Sequence, residues 1–225
     1  MLERFDLYAA IHKALRHYMG AVLLELGRLD LADPAEVARA GAMLRGLLDW
    51  LAEHLAIEER FIHTALAERH RDPLVATLRR DHDDHVRSFA MLRLDLEALE
   101  RSSAEAPVAR NARARQLYLT LTRFIADNFQ HMAVEETELN PLLWQHFTDA
   151  ELFGMYRAIL ASEAPEQLEL GVTWLLPALP PAERAKTVGG VRMLLPPELF
   201  ERLLGQAQRA LGTREFEKLA RDLAI

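Results

Sequence analysis

Two short stretches of the chain, "HLAIEER" from His54 and "HMAVEET" from His131, each place a histidine four residues before a glutamate. Positions i and i+4 of a helix share a face, with Cβ atoms about 5–6 Å apart. One turn can therefore present the imidazole of His54 and the carboxylate of Glu58 to a common partner, and His131 and Glu135 repeat the arrangement. Two further histidines, His12 in "AAIHKAL" and His82 in "LRRDHDDHV", lie on otherwise apolar stripes. Four neutral imidazoles and two carboxylates suit a pair of divalent first-row ions, with the carboxylates bridging and coordination positions left for a small ligand. A structural zinc site wants four ligands and no vacancy, so six converging donors fit it less well. Burying such groups without a common partner would be expensive, at roughly 2–7 kcal/mol for each unpaired polar group.

The elements that must position these residues follow from periodicity. Helical spacing fills the gaps between Gly- and Pro-containing separators and predicts four long helices, roughly 2–28, 36–68, 73–101 and 110–146. Short links between them favour an all-α, antiparallel, up-down-up-down four-helix bundle. Steps of three and four give the inward stripes. The first runs through Tyr8, His12, Leu15 and Met19, the second through Leu44, Leu47, Leu51, His54 and Glu58. The third runs through Leu78, His82, His85 and Phe89, and the fourth through Leu121, Phe124, Asn128, His131 and Glu135. The halves repeat each other, because His54, Ala56, Glu58, Glu59 and Leu66 align without gaps with His131, Ala133, Glu135, Glu136 and Leu143. His12 corresponds to His82, so pseudo-twofold symmetry would gather His12, His54, Glu58, His82, His131 and Glu135 into one layer. The bundle is expected over residues 1–160. Residues 163–225, where prolines recur at helix starts, read as a C-terminal extension of three or four short helices.

Other features narrow the function classes. A formal charge of −7 argues against nucleic-acid binding. The absence of cysteine excludes disulfides, thiolate metal sites and cysteine nucleophiles, and suits a cytoplasmic location. No apolar run approaches the ~20 residues of a membrane helix. His17, His63, His70 and His146 fall off the stripes or near helix ends and read as ordinary structural residues, and Glu59, Glu136 and Glu138 as solvated or capping charge. Tyr8, one turn before His12, is a candidate hydrogen-bond donor to a bound ligand, although an aromatic cap on the core is the plainer reading.

The pattern H…HxxxE…H…HxxxE, together with "HMAVEETELNPLLWQHFTDAEL", resembles the hemerythrin-like, or HHE cation-binding, proteins over residues 1 to about 160. The resemblance implies two iron ions in a non-haem di-iron centre. His12, His54, Glu58, His82, His131 and Glu135 would be its metal ligands, with Glu58 and Glu135 bridging. Manganese or zinc stays open, since availability decides occupancy. The oxygen carriers of the family have His-x-x-x-His on the third helix, whereas this chain has His82-x-x-His85. His85 is thus either a fifth histidine ligand or, as we prefer, a hydrogen-bonding neighbour of the ligands. The expected function is binding or sensing of oxygen, nitric oxide or peroxide, with the C-terminal helices as a dimer or partner surface. The alternatives are an oxidase or peroxidase, and iron storage or donation. Ferritin chemistry is disfavoured because its signature is Glu-x-x-His.

Overall fold

Helix starts are written in acidic and proline residues. Asp33 caps the second helix, its carboxylate accepting from the N–H groups of Ala35 and Glu36, and Pro34 occupies the first helical position, where no N–H is needed. Asp72 and Pro73 repeat the device, with Asp72 accepting from Leu74. The computed structural model describes residues 4–225, and among these every regular element is helical. In chain order they are α1 (Ala9–Gly27), α2 (Pro34–Ile57), a π turn (Glu58–His63), α3 (Thr64–Arg69), α4 (Pro73–Arg101), a 3-10 turn (Ser102–Ala104), α5 (Pro107–Val134), a second π turn (Glu135–Leu139) and α6 (Asn140–His146). Four more follow: α7 (Asp149–Ser162), α8 (Pro165–Ala178), α9 (Pro181–Arg192) and α10 (Pro197–Leu223).

The helix expected over 2–28 begins only at Ala9. Asp6 accepts from the N–H groups of Tyr8 and Ala9 at 2.8 and 2.9 Å and fixes the start there. Residues 2 and 3 lie outside the described residues. The other three long helices appear where periodicity placed them, two of them interrupted by π turns. The protein is an all-α helical bundle with extra C-terminal helices. No described helix is long and apolar enough to cross a membrane.

By its contacts the chain forms two compact units. One is Tyr18–His146, and the other joins the segment through His17 to Phe147–Ile225. In the first, α4 packs on α2 and α5. Its core holds Leu44, Leu47, Leu51, Leu78, Leu92 and Leu121, all buried. Glu25 ties α1 to α2 by accepting from Arg39 at 2.9 Å while also holding Arg28 at 2.5 Å. The Tyr18 hydroxyl donates to the Met43 carbonyl at 3.0 Å, close against Gly46.

In the second unit Arg4 pairs with Asp149 at 2.7 Å, and Lys13 with Glu183 at 2.6 Å. The Phe5 ring meets Phe153 edge-on at 5.7 Å. His17 shares a hydrogen bond with the Trp174 carbonyl at 3.0 Å. Leu176, Val188, Phe200, Ala207 and Leu219 give α8, α9 and α10 their own small core. Arg184, buried beside it, donates to the Leu176 carbonyl at 2.7 Å and to Glu215 at 2.8 Å. Gly212 takes a left-handed φ of 70° and kinks α10.

Candidate metal centre

The last turn of α2 carries His54 and leads straight into Glu58, and α5 ends in the same way with His131 before Glu135. The i,i+4 spacing holds across both junctions. His54 Nε2 lies 3.1 Å from Glu58 Oε1, and His131 Nε2 lies 3.3 Å from Glu135 Oε1. α4 brings His82 to both pairs. Its Nε2 is 3.5 Å from Glu58 Oε2, 3.8 Å from Glu135 Oε1 and 3.1 Å from His131 Nε2. Glu58, His82, His131 and Glu135 thus each offer one ligand atom within 4.8 Å of all the others. The two carboxylates are 1% and 0% exposed, so this is a core layer and not a surface cluster.

The charges in this layer are held by one another. Burial and the neighbouring Glu58 push the Glu135 carboxyl up, but hydrogen bonds from His131 and His82 outweigh them and leave it below the usual range. Burial depresses His131, yet the Glu135 carboxylate, with Glu58 and Asp81, leaves it raised. Asp81 Oδ2 stands 3.5 Å from the outer ring nitrogen of His131.

The remaining sequence candidates are placed as follows. His85 is buried with its ring edge-on to His131 at 4.9 Å and to Phe124 at 5.8 Å, and does not join a group of converging ligand atoms. Burial, with His131 and His82 nearby, lowers it to about 4, so it is neutral. His12 is fully buried on α1, with the Tyr8 ring 5.2 Å away and Tyr8 itself 1% exposed. These two belong to the compact unit that holds the C-terminal helices.

Two buried polar residues escaped the sequence reading. His63 is not a helix-end histidine but is fully buried, and it groups with Glu59 and His82. Asn140, its counterpart in the repeat, is 1% exposed. Both owe their place to the π turns, where the N–H of Thr64 bonds to the Glu59 carbonyl and that of Asn140 to the Glu135 carbonyl, five residues back. Each turn holds one residue more than α-periodicity allows, so positions beyond it shift around the helix. Pro141 was the available signal. A proline inside a helix clashes with the carbonyl four residues back, and a widened preceding turn relieves that clash.

The hemerythrin HHE cation-binding domain profile matches residues 4–143. The chain belongs to that family. No curated protein and no solved structure gives a significant match. The hemerythrin domain is a cation-binding one, and the donor set here fits a cation. Metal–nitrogen and metal–oxygen bonds of about 2.1 Å put opposite ligands about 4.2 Å apart, close to the 4.8 Å within which the four ligand atoms already lie. Two carboxylates held this deep each lose several kcal/mol of hydration. A shared divalent ion would offset that loss for both.

Proposed function

We propose that this hemerythrin-family protein holds a non-haem di-iron centre that binds oxygen, nitric oxide or peroxide and acts as a sensor. One observation carries the reading. The buried Glu58 and Glu135 carboxylates converge with His82 and His131 within 4.8 Å, giving oxygen donors that two ions can share. Histidine and carboxylate together are a donor set suited to iron. Iron bound there would supply reversible ligation of a small diatomic or peroxide.

The chain's own residues have distinct parts in this proposal. His54 joins through its contact with Glu58, and His12 is the sixth ligand, supported by its complete burial on an otherwise apolar stripe. Asp81, 3.5 Å from the outer nitrogen of His131, sets a negative charge behind that ring and favours the orientation that keeps Nε2 inward. His85, neutral and packed against His131, limits the rotation of that ring. The C-terminal helices are the surface for a partner or a second copy, and a ligand-dependent shift in helix packing is the signal they pass on.

Elemental analysis of protein purified without chelators tests this. The same sample is then reduced anaerobically and exposed to oxygen and to nitric oxide while absorption is followed. About two irons per chain, with bands that return on cycling, are expected for a family member of this kind. Bands that appear once and decay as oxygen is consumed would show an oxidase instead. A folded chain that is metal-free and indifferent to added iron would end the proposal.

A further inference from the structure

We propose that His63 is an additional ligand of the metal centre, delivered by the first π turn and oriented by Glu59; this rests on the metal-binding reading above. Continued α-helical geometry would put Ile62, not His63, one turn beyond Glu58. The i→i+5 pattern turns His63 to that side instead. There its ring stacks on His82 with centroids 5.1 Å apart and planes 21° from parallel. A ring nitrogen of each lies within the 4.8 Å that groups Glu59, His63 and His82, a separation compatible with two ligands of one ion.

The hydrogen bonding fixes the tautomer. His63 Nδ1 lies 3.1 Å from Glu59 Oε2, and Arg79 Nη2 holds the other oxygen of the same carboxylate at 2.6 Å. An arginine-paired carboxylate accepts, so Nδ1 carries the proton and Nε2 keeps a lone pair. That Nε2 is buried and has no hydrogen-bond partner. The large majority of buried side-chain nitrogens have a hydrogen-bond partner, so a bare Nε2 calls for one. A metal ligand does what His63 does, donating from one nitrogen to a carboxylate and presenting the other bare.

The second π turn repeats the device with a different side chain. Asn140 occupies the place in its half that His63 occupies in the other, and neither of its buried amide atoms has a hydrogen-bond partner. The two halves of the repeat therefore offer unequal donor sets, with an extra imidazole in one and an amide in the other.

The test is anaerobic titration of the metal-stripped full chain with Co(II), whose visible ligand-field bands report the donors directly. Wild type is compared with His63→Gln and Glu59→Ala. For Glu59→Ala we expect affinity to weaken by about tenfold, and for His63→Gln by about a hundredfold or more, since outer partners alone are worth about 10- to 100-fold. The His63→Gln bands should also change in position and intensity, and added imidazole should partly restore them. A folded His63→Gln with wild-type bands and affinity overturns the proposal. Should that variant not fold, Glu59→Ala decides alone, because Glu59 is half-buried and its loss leaves the core intact. Unchanged affinity there also overturns it. If wild type itself takes up neither cobalt nor iron, the di-iron reading fails first.

Discussion

Replacing Glu135 with leucine separates what the metal layer does for stability from what it does for binding. The side chain is fully buried, close in size to leucine, and lies near a second buried carboxylate, Glu58. Replacing buried ionic groups by apolar ones of similar volume is commonly neutral or stabilising by about 1–4 kcal/mol when no charge is left unpaired, and costs about 3–5 kcal/mol when one is. The first case applies here because His131, raised chiefly by the Glu135 carboxylate, loses that support and can give up its proton, so no charge is stranded beside the new leucine. The metal-free variant should therefore melt no lower than wild type, and higher by about 2–4 °C for each kcal/mol in a chain of this size.

With metal the order of benefit reverses. A thousandfold excess of metal over Kd stabilises wild type by about 4.1 kcal/mol, and a hundredfold weakening cuts this to about 1.4 kcal/mol. The metal-induced rise should accordingly fall from about 8–16 °C to about 3–6 °C. Calorimetry of both proteins, stripped and loaded, reads all four values. A stripped variant less stable than wild type by the 3–5 kcal/mol of a broken buried pair would refute the reasoning. So would an equal metal-induced shift in the two proteins.

Four further substitutions probe the scaffold. A Cβ at Gly46 would sit 2.7 Å from the Tyr18 hydroxyl, whereas one at Gly154 meets nothing within 4 Å. Gly154→Ala should stabilise by about 0.5–1 kcal/mol, and Gly46→Ala should destabilise despite the same helical gain, as denaturant midpoints will show. Asp33→Ala removes the cap of α2 and should cost about 1 kcal/mol by the same measurement. Burial, with Asp49 nearby, pushes the Tyr18 hydroxyl up to about 12. Its folded value exceeds the unfolded one near 10, so its contribution is complete below pH 10 and is lost as pH rises from 10 toward 12. Tyr18→Phe should flatten that part of the stability profile.

Much of this was legible in the sequence because the relevant signals are local. Asp33-Pro34 and Asp72-Pro73 start helices for reasons contained in two residues, and a His-x-x-x-Glu pair shares a face wherever α-geometry holds. The alternation of apolar stripes was likewise enough to place α4 to the residue. What could not be read is where α-geometry stops. His63 lies off the stripe counted at 3.6 residues per turn and on it once the turn widens, so the same periodicity that found Glu58 concealed His63. The late start of α1 was hidden for a different reason. Phe5, Leu7 and Tyr8 continue the apolar pattern, and the Asp6 carboxylate, accepting from the N–H groups of Tyr8 and Ala9 ahead of it, ends the helix there.

The discontinuous unit bears on how the protein is made. Tyr18–His146 is one uninterrupted stretch, and its contacts can form as it leaves the ribosome. The segment before it has no such option. Arg4 must wait for Asp149, 145 residues later, and Lys13 for Glu183, 170 residues later. At about 5–20 residues per second of synthesis, Arg4 and Lys13 spend on the order of ten seconds or more without their partners. Residues 4–17 are thus made before Tyr18–His146 yet find their partners after it, so the order of synthesis and the order of packing are reversed in this unit.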